Sequence, residues 1–430
     1  MKHRVRKNKT LLVDGPASVE LVSGEAEVLG ATFKKGDKIV IRDGKRIPFE
    51  VKRDSTFDLM VAENVSLEET DGSTIPISWE TASEEIVSMK KPITVMVMGE
   101  VDSGKTSFCV YLANKALKRK LRVAVIDGDL GQSDIGPPST IGFCRIKAPI
   151  RDLFEMEAED AYFLGVTSPS SVVSEVVTKL TSLKKTILSR DVDFLIQNTD
   201  GWVEEEEAVK YKVELAERVA PDVVVGIQHE NELAPILSSL KDVKTVKVDS
   251  PLVTRKRDRE KRKILRQLSY KKYLKGAKVQ SFSLNWIRVK GAPLASGNHP
   301  ITERVEKIRE LLGTSPLYYE EVPTAALIVL WKTQWVDEAQ IKKVEGVLEK
   351  KVILVREGDE KGLLVGLENE EGKFLGIGII QAIDYKRRVM KVYTPVNGGV
   401  SIVSVGQVKL DEKGRELGIS QVFTGSLSQF

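Results

Sequence analysis

Residues 1–90 carry short runs of alternating apolar and polar residues. LLVDG, SVELVSG, AEVLG and DKIVIRDGKRIPFEV follow one another, punctuated by Gly, Asp and Lys. A period of two broken by turn residues predicts antiparallel strands, so this stretch reads as a small β domain without long helical periodicity. From Ile93 the texture changes. ITVMVMG, LRVAVIDGD, DVDFLIQNTDG and PDVVVGIQ are near-continuous apolar runs, as expected of strands buried on both faces. Between them lie TSFCVYLANKALKRK and SPSSVVSEVVTKLTSLKKTILSR, which have helical spacing, the second opening on Ser168-Pro169-Ser170-Ser171. Strand–helix alternation predicts a doubly wound, mainly parallel α/β domain over residues 91–315. From about Val322 the runs AALIVLWKT, KKVILVRE, KGLLVGLE, KFLGIGIIQAID, RVMKVYTPV and VSIVSVGQVKL return to strand character. Residues 316–430 therefore read as a second β domain, a small barrel or sandwich.

Composition narrows the picture. The chain has 430 residues, 41% hydrophobic and 30% charged, which is ordinary for a soluble globular protein. No apolar run approaches the roughly 18 residues needed to span a bilayer, and no signal-type apolar segment follows the basic start MKHRVRKNKT. A cytoplasmic protein without membrane attachment is expected. Two cysteines, Cys109 and Cys144, and three histidines exclude a disulfide framework and a histidine-rich metal centre. The net charge of +4 hides a strong asymmetry. Between Arg255 and Lys278 there are 12 Lys and Arg against 2 Asp and Glu, so the rest of the chain is mildly acidic. A localised contact with a polyanion is implied.

The strongest motif is Gly99-Glu100-Val101-Asp102-Ser103-Gly104-Lys105-Thr106, a G-x-x-x-x-G-K-T phosphate loop between an apparent strand and helix. Such a loop turns backbone N–H groups toward phosphate oxygens. Lys105 supplies charge at the β- and γ-phosphates, and Thr106 offers a hydroxyl to Mg²⁺. A second segment, Asp127-Gly128-Asp129-Leu130-Gly131-Gln132, puts two carboxylates at the carboxyl end of a buried strand, where open α/β sheets bind ligands. Either could hold magnesium or accept a proton from an attacking hydroxyl. A third, Asn198-Thr199-Asp200-Gly201-Trp202, ends another apolar strand. Trp202 is placed to stack on a base or to close the sheet edge, and Asp200 is a rival magnesium carboxylate. The fold class is thus α/β, a central P-loop NTPase domain flanked by two small β domains.

The basic segment predicts a helix over about 252–275. Arg255, Arg259, Arg262 and Arg266 are spaced 4, 3 and 4 and share a face that Tyr270 and Tyr273 continue. Four arginines on one stripe repel unless an anion lies across them, and guanidinium forks suit phosphate. No N-K-x-D guanine-reading motif occurs, which disfavours a GTPase switch.

Taken in order, G-x-x-x-x-G-K-T, D-x-D-x-G-Q, N-T-x-G-W and the Arg-x-x-x-Arg helix resemble the polynucleotide 5′-hydroxyl kinase family. That family includes the kinase subunit of the eukaryotic mRNA 3′-end cleavage factor and tRNA-splicing complex, the pre-ribosomal RNA processing kinase, and archaeal relatives. Lacking extra terminal extensions, the chain is most like the archaeal branch. The resemblance implies ATP and Mg as cofactors and RNA 5′-hydroxyl ends as acceptor, with DNA as an alternative. It also implies RNA-processing partner proteins. Lys105 and Thr106 would bind ATP phosphates and Mg²⁺, and Asp129 would be the general base. Asp127 and Gln132 would support the metal and its water. Thr199, Gly201 and Trp202 would clasp the 5′-terminal nucleotide. Arg255 and Arg259 would cover the transferred phosphoryl group, with Arg262 and Arg266 as an alternative pair. Arg46 would be an adenine-side contact from the N-terminal domain. A non-catalytic ATP-binding scaffold in an RNA-processing assembly is the alternative reading.

Overall fold

The structure is a computed structural model describing residues 1–63, 65–254, 257–295 and 302–423. The chain divides into two compact units. One comprises Met1–Tyr162 and Ser168–Arg266, the other Phe163–Thr167 and Gln267–Phe430. Among the described residues no helix is long and apolar enough to cross a membrane.

The first unit opens with a seven-stranded antiparallel sheet dominated by the pairing of Ala17–Val28 with the long strand Arg46–Val61. Alternation on either side of the exposed Lys52–Asp54 turns Phe49 and Phe57 inward, where they stack edge-to-face on each other and Phe49 on Phe33. A helix, Ile77–Ser88, then appears where the sequence reading expected only strands. Its buried residues are Trp79, Ala82, Ser83, Ile86 and Val87, a helical period too short to stand out in a β-patterned region. Trp79 is fully buried, packs edge-on against Phe108 and donates through Nε1 to the Asp249 carbonyl at 2.8 Å.

The central sheet has the strand order Asp160–Phe163, Thr140–Ile146, Val123–Asp127, Phe194–Asn198, Ile93–Gly99, Val223–Gln228, Lys244–Asp249. Its core pairings are parallel, and Thr140–Ile146 runs antiparallel against Val123–Asp127. Every residue of Ile93–Gly99, Val123–Asp127 and Phe194–Asn198 is buried, as the unbroken apolar runs require. Asn198 pairs in register with both Val97 and Asp127. The carboxyl ends of three adjacent strands therefore finish at one level, and each carries one of the sequence motifs.

Charge locks the N-terminal sheet to the central one inside this unit. Arg42 reaches Asp134 at 2.7 Å and Asp152 at 3.0 Å, while Lys45 reaches Asp134 at 2.9 Å. The Arg42 guanidinium also lies 3.6 Å from the Phe154 ring centroid. Lys45 and Arg42 outweigh the opposing effect of burial and hold the Asp134 carboxyl well below the usual range.

In the second unit a seven-stranded sheet runs Lys278–Ser283, Val389–Thr394, Phe374–Asp384, Leu363–Glu368, Ile402–Leu410, Arg288–Lys290, with Glu416–Ile419 added on Ile402–Leu410. A three-stranded sheet of Tyr318–Glu321, Ala325–Leu330 and Lys351–Arg356 accompanies it. This region is not purely β. Ala325–Leu330 and Lys351–Arg356 pair in parallel across the helix Glu338–Leu348, which starts with an Asp337–Gln340 capping box. Ala326, Ile328 and Leu330 join a core with Val344 and Leu348, whereas Ala325, Leu327 and Val329 join the core of the larger sheet. One strand thus serves two cores, which explains its unbroken apolar sequence.

Asp134→Ala leaves the largely buried Arg42 and Lys45 without their shared carboxylate and is expected to destabilise the first unit by about 3–5 kcal/mol in urea titrations. Because the folded Asp134 pKa is depressed, its contribution is complete above the ordinary carboxylate range. It declines as pH falls below that range and is gone below the lowered value. A variant within ~1 kcal/mol of the parent would show the interlock to be inert.

Candidate active site

The phosphate loop connects the buried strand Ile93–Gly99 to the helix Lys105–Lys118. Gly104 has φ 98°, a left-handed conformation that lets the loop turn into the helix. A β-carbon there would also meet Pro251 Cδ at 3.2 Å. The helix begins without a side-chain cap, and Ser103 Oγ is buried without a hydrogen-bond partner. Phosphate oxygens fit this cradle, since they would satisfy the uncapped N–H groups and the orphaned hydroxyl. Lys105 folds back over the loop and donates to the Glu100 carbonyl at 2.7 Å. Burial lowers its pKa, Lys212 adds repulsion, and Asp129, Asp200 and Asp102 oppose the fall. Thr106 is half-buried in the first helical turn.

The carboxylates divide their labour. Asp127 is fully buried and takes hydrogen bonds from Asp134 N at 2.7 Å, Asn198 Nδ2 at 3.0 Å, and Asp129 N, Ser133 Oγ and Ile135 N at 3.3 Å each. Burial, Asp134 and Asp129 push its pKa up to about 6 against the hydrogen bonds. Asp127 therefore organises the turn that follows its strand. Among the described residues Asp129 is bonded through Oδ1, accepting from Gln132 N at 2.9 Å and Gly131 N at 3.0 Å. Its pKa is raised, chiefly by burial and further by Asp200, while Lys105 pulls it down. Gln132 donates from Nε2 to the Gly131 carbonyl at 2.8 Å and to the Arg262 carbonyl at 3.2 Å.

Asp200, the rival magnesium carboxylate, is already occupied. It accepts from Tyr211 Oη at 2.8 Å and Trp202 N at 3.0 Å, and it pairs with the fully buried Lys212 at 2.9 Å. Lys212 and Tyr211 lie on the helix Glu206–Val219. Thr199 is buried and donates to the Val97 carbonyl at 2.8 Å. Gly201 lies against the phosphate loop, where a β-carbon would fall 2.5 Å from Val101 Cγ2 and 2.7 Å from Val101 N. Trp202 is half-buried and stacks on Tyr211 at 5.9 Å and 28°.

The basic helix spans Arg259–Tyr273. Arg255 lies outside the described residues. Among the described residues the arginine that contacts the phosphate loop is Arg257, just before the helix. Its Nε is 3.0 Å from Asp102 Oδ1 and its N–H donates to Asp102 Oδ2 at 2.7 Å. Leu265 packs on Gly44, and Arg262 receives Gln132 on its carbonyl, so the start of the helix is seated beside the Asp129 turn. Arg259 is exposed; Arg262 and Arg266 are half-buried. Tyr270 does not continue an anion-facing stripe: it is fully buried in a cluster with Leu274, Leu364 and Ile377. Arg46 is gripped by Asp14 at 2.6 Å and Glu68 at 3.1 Å in the N-terminal sheet.

The fold brings Lys105, Asp127, Asp129, Gln132, Thr199 and Gly201 to neighbouring strand ends. Sequence reasoning missed Arg257, Lys212 and Trp79. Arg257 lies inside a run of basic residues where spacing favoured its neighbours, and Lys212 occupies an ordinary amphipathic helix. Trp79 lies on a helical period too short to be separated from the strand patterns around it.

The family model for the mRNA cleavage and polyadenylation factor CLP1 P-loop matches residues 99–276. A polyribonucleotide 5′-hydroxyl-kinase of Pyrococcus furiosus is 32% identical over 348 residues, spanning 80% of this chain and 95% of that protein. One from Methanocaldococcus jannaschii is 26% identical over 340 residues, 78% of this chain and 91% of the relative. The Xenopus tropicalis polyribonucleotide 5′-hydroxyl-kinase Clp1 is 26% identical over 242 residues, 52% and 55% of the two chains. Among solved structures, Clp1p in complex with Pcf11p (454–563) shares the fold at a TM-score of 0.65 and 12% identity, covering 95% of this chain and 97% of that one. With the phosphate loop, both carboxylates and the basic helix inside the matched segment, and identity extending over most of both chains, the protein belongs to the Clp1 family of polyribonucleotide 5′-hydroxyl-kinases.

Proposed function

We propose that this chain transfers the γ-phosphoryl group of ATP to the 5′-hydroxyl end of RNA, with magnesium as the metal. DNA is the alternative acceptor, and the setting is cytoplasmic. The observation that carries this reading is Asp129. It stands beside the phosphate-loop lysine with Lys105 as its main opposing charge, and among the described residues only one of its oxygens is engaged. A carboxylate so placed suits proton removal from an incoming hydroxyl.

The roles follow from the geometry. The loop N–H groups and Ser103 Oγ receive phosphate oxygens, and Lys105 exchanges the Glu100 carbonyl for the β- and γ-phosphates. Thr106 would hold the metal together with phosphate oxygens, water and a carboxylate of the Asp127–Asp129 turn. Magnesium generally binds through one or two carboxylates rather than a full protein cage. When bound it neutralises charge on the β- and γ-oxygens. Asp129 takes the proton from the 5′-hydroxyl as that oxygen bonds to the γ-phosphorus. The bond from phosphorus to the bridging oxygen breaks, and ADP leaves with the electron pair. Arg257, Arg259 and Arg255, with Arg262 and Arg266 further along, supply positive charge toward the equatorial oxygens. Trp202, fixed by Tyr211, offers a ring edge and face for the terminal nucleotide, while Thr199 and Gly201 fix the strand end against the loop. Arg46 is assigned to the adenine side, its orientation set by Asp14.

Transfer of label from γ-labelled ATP to a 5′-hydroxyl oligoribonucleotide tests the reading. The intact protein should label it, and Lys105→Ala should not. Asp129→Asn should lower kcat by roughly 10²–10⁴-fold while leaving ATP affinity near the parent value. Binding of ATP without transfer to any RNA or DNA end would leave the scaffold reading instead.

Gly201→Val tests the contact with the phosphate loop separately. Its side chain must displace Val101. ATP titration should show affinity weakened by about tenfold or more, the cost of a ~1.4 kcal/mol distortion. Parent-like affinity would place the loop independent of residue 201.

A further inference from the structure

Three of the five tryptophans lie in the second unit, at one end of its sheets. Trp286 is 87% exposed, Trp335 78% and Trp331 36%. Contacts join them. Lys386 Nζ lies 4.7 Å from the Trp331 ring centroid, and Arg356 Cζ lies 4.2 Å from that of Trp335. Arg388 Nε donates to Asn285 Oδ1 at 2.7 Å, and its carbonyl accepts from Leu284 N at 2.8 Å, tying the Trp286 turn to the hairpin that carries Lys386. Trp331 and Trp335 flank one turn, closed by Gln334 N to the Trp331 carbonyl at 2.9 Å and Trp331 N to Gln334 Oε1 at 2.9 Å.

These rings are held outward by rigid supports. Leu284 and Ile287, on either side of Trp286, are buried in the core, so the indole between them is presented to solvent by anchored backbone. Large exposed aromatics are uncommon unless they serve recognition. A cation on one face of an indole leaves the other face open to a base and puts positive charge where a phosphate would follow. Lys332 and Arg387 adjoin these residues in the chain, against Asp337, Glu338, Glu357, Asp359 and Asp384. Asp359 is engaged by Arg356 N at 3.0 Å, and Asp384 faces Arg387 at 3.9 Å.

We infer that this surface is a second polynucleotide-binding site, which stacks bases of single-stranded RNA on Trp286, Trp331 and Trp335 and pairs its phosphates with Lys386, Arg356 and Arg387. Aromatic platforms interleaved with cations bind single strands with little sequence preference. A protein partner would be better served by an apolar patch without cations stacked on two of its three rings. The choice of RNA rests on the proposed kinase reading; the stacking chemistry does not.

The test is fluorescence anisotropy of a labelled oligouridylate already bearing a 5′-phosphate, titrated with the full chain. Trp286→Ala/Trp335→Ala should weaken binding by about tenfold for each indole removed, because stacking on one aromatic carries that much affinity. Both side chains are exposed, so thermal melting should match the parent. Trp335→Phe should retain most of the binding, and Arg356→Gln/Lys386→Gln should flatten the salt dependence. Label transfer to a short 5′-hydroxyl acceptor should be unaffected by the tryptophan variants. Parent-like affinity in the double tryptophan variant, with normal transfer, overturns this proposal and assigns the surface to a protein partner. Tryptophan-dependent binding by a protein that transfers no phosphate overturns the kinase reading and leaves this one standing.

Discussion

A buried ammonium beside a phosphate loop must be balanced without being cancelled, and the site is arranged around that requirement. Lys105 is buried, which weakens its hold on its proton, yet it must remain charged to meet phosphates. Three carboxylates oppose the fall, but they are not equivalent. Lys212 takes Asp200 and Arg257 takes Asp102, each at about salt-bridge distance. That leaves Asp129 as the counter-charge facing Lys105, with one oxygen not engaged among the described residues. The buried pair Lys212–Asp200 is thus an arrangement that keeps a strand-end carboxylate from competing for Lys105. Buried ion pairs of this kind contribute more to placing charge than to net stability.

Parallel pairing supplies the geometry. Because Asn198 aligns with both Val97 and Asp127, three motifs separated by up to about a hundred residues end at the same height on adjacent strands. No loop has to search for its partner. The close approach of Gly201 to Val101 is a direct consequence, since two strand-end turns meet backbone to backbone where a side chain would not fit. Trp79 supports the same region from the N-terminal side, holding the Asp249 carbonyl two residues before Pro251, which in turn packs on Gly104.

The strands and their motifs could be read because burial on both faces leaves no room for polar residues, and because a phosphate loop constrains several positions at once. Phosphate-loop position and the two strand-end carboxylates emerge from local pattern alone. The helix Ile77–Ser88 could not be separated from its β surroundings, since twelve residues give barely three turns of period. The helix Glu338–Leu348 carries its own cap at Asp337 but lies among strong strand patterns that dominate the reading. Counter-ions were the least legible. Asp200 reads in the sequence as a rival magnesium carboxylate, and its partner Lys212 sits twelve residues on, at a spacing that means nothing until the helix folds back. Arg257 is likewise one basic residue among many until the chain places it on Asp102.

The N-terminal sheet also reaches the chemistry through a continuous series of short contacts. Arg42 and Lys45 hold Asp134; the Asp134 N–H donates to Asp127 at 2.7 Å; Asp127 accepts the Asp129 N–H; and Asp129 in turn receives Gln132 N, whose side chain bonds the Arg262 carbonyl on the basic helix. Each link is a charge-assisted or backbone hydrogen bond in a largely buried setting, where such bonds are strongest and most directional. The domain that appears from its sequence to be a separate β module therefore fixes the turn bearing Asp129 and, through Gln132, the approach of the arginines. Its strands act on the site by position: they present two cations at the one place where a buried carboxylate, Asp134, needs them to remain ionised.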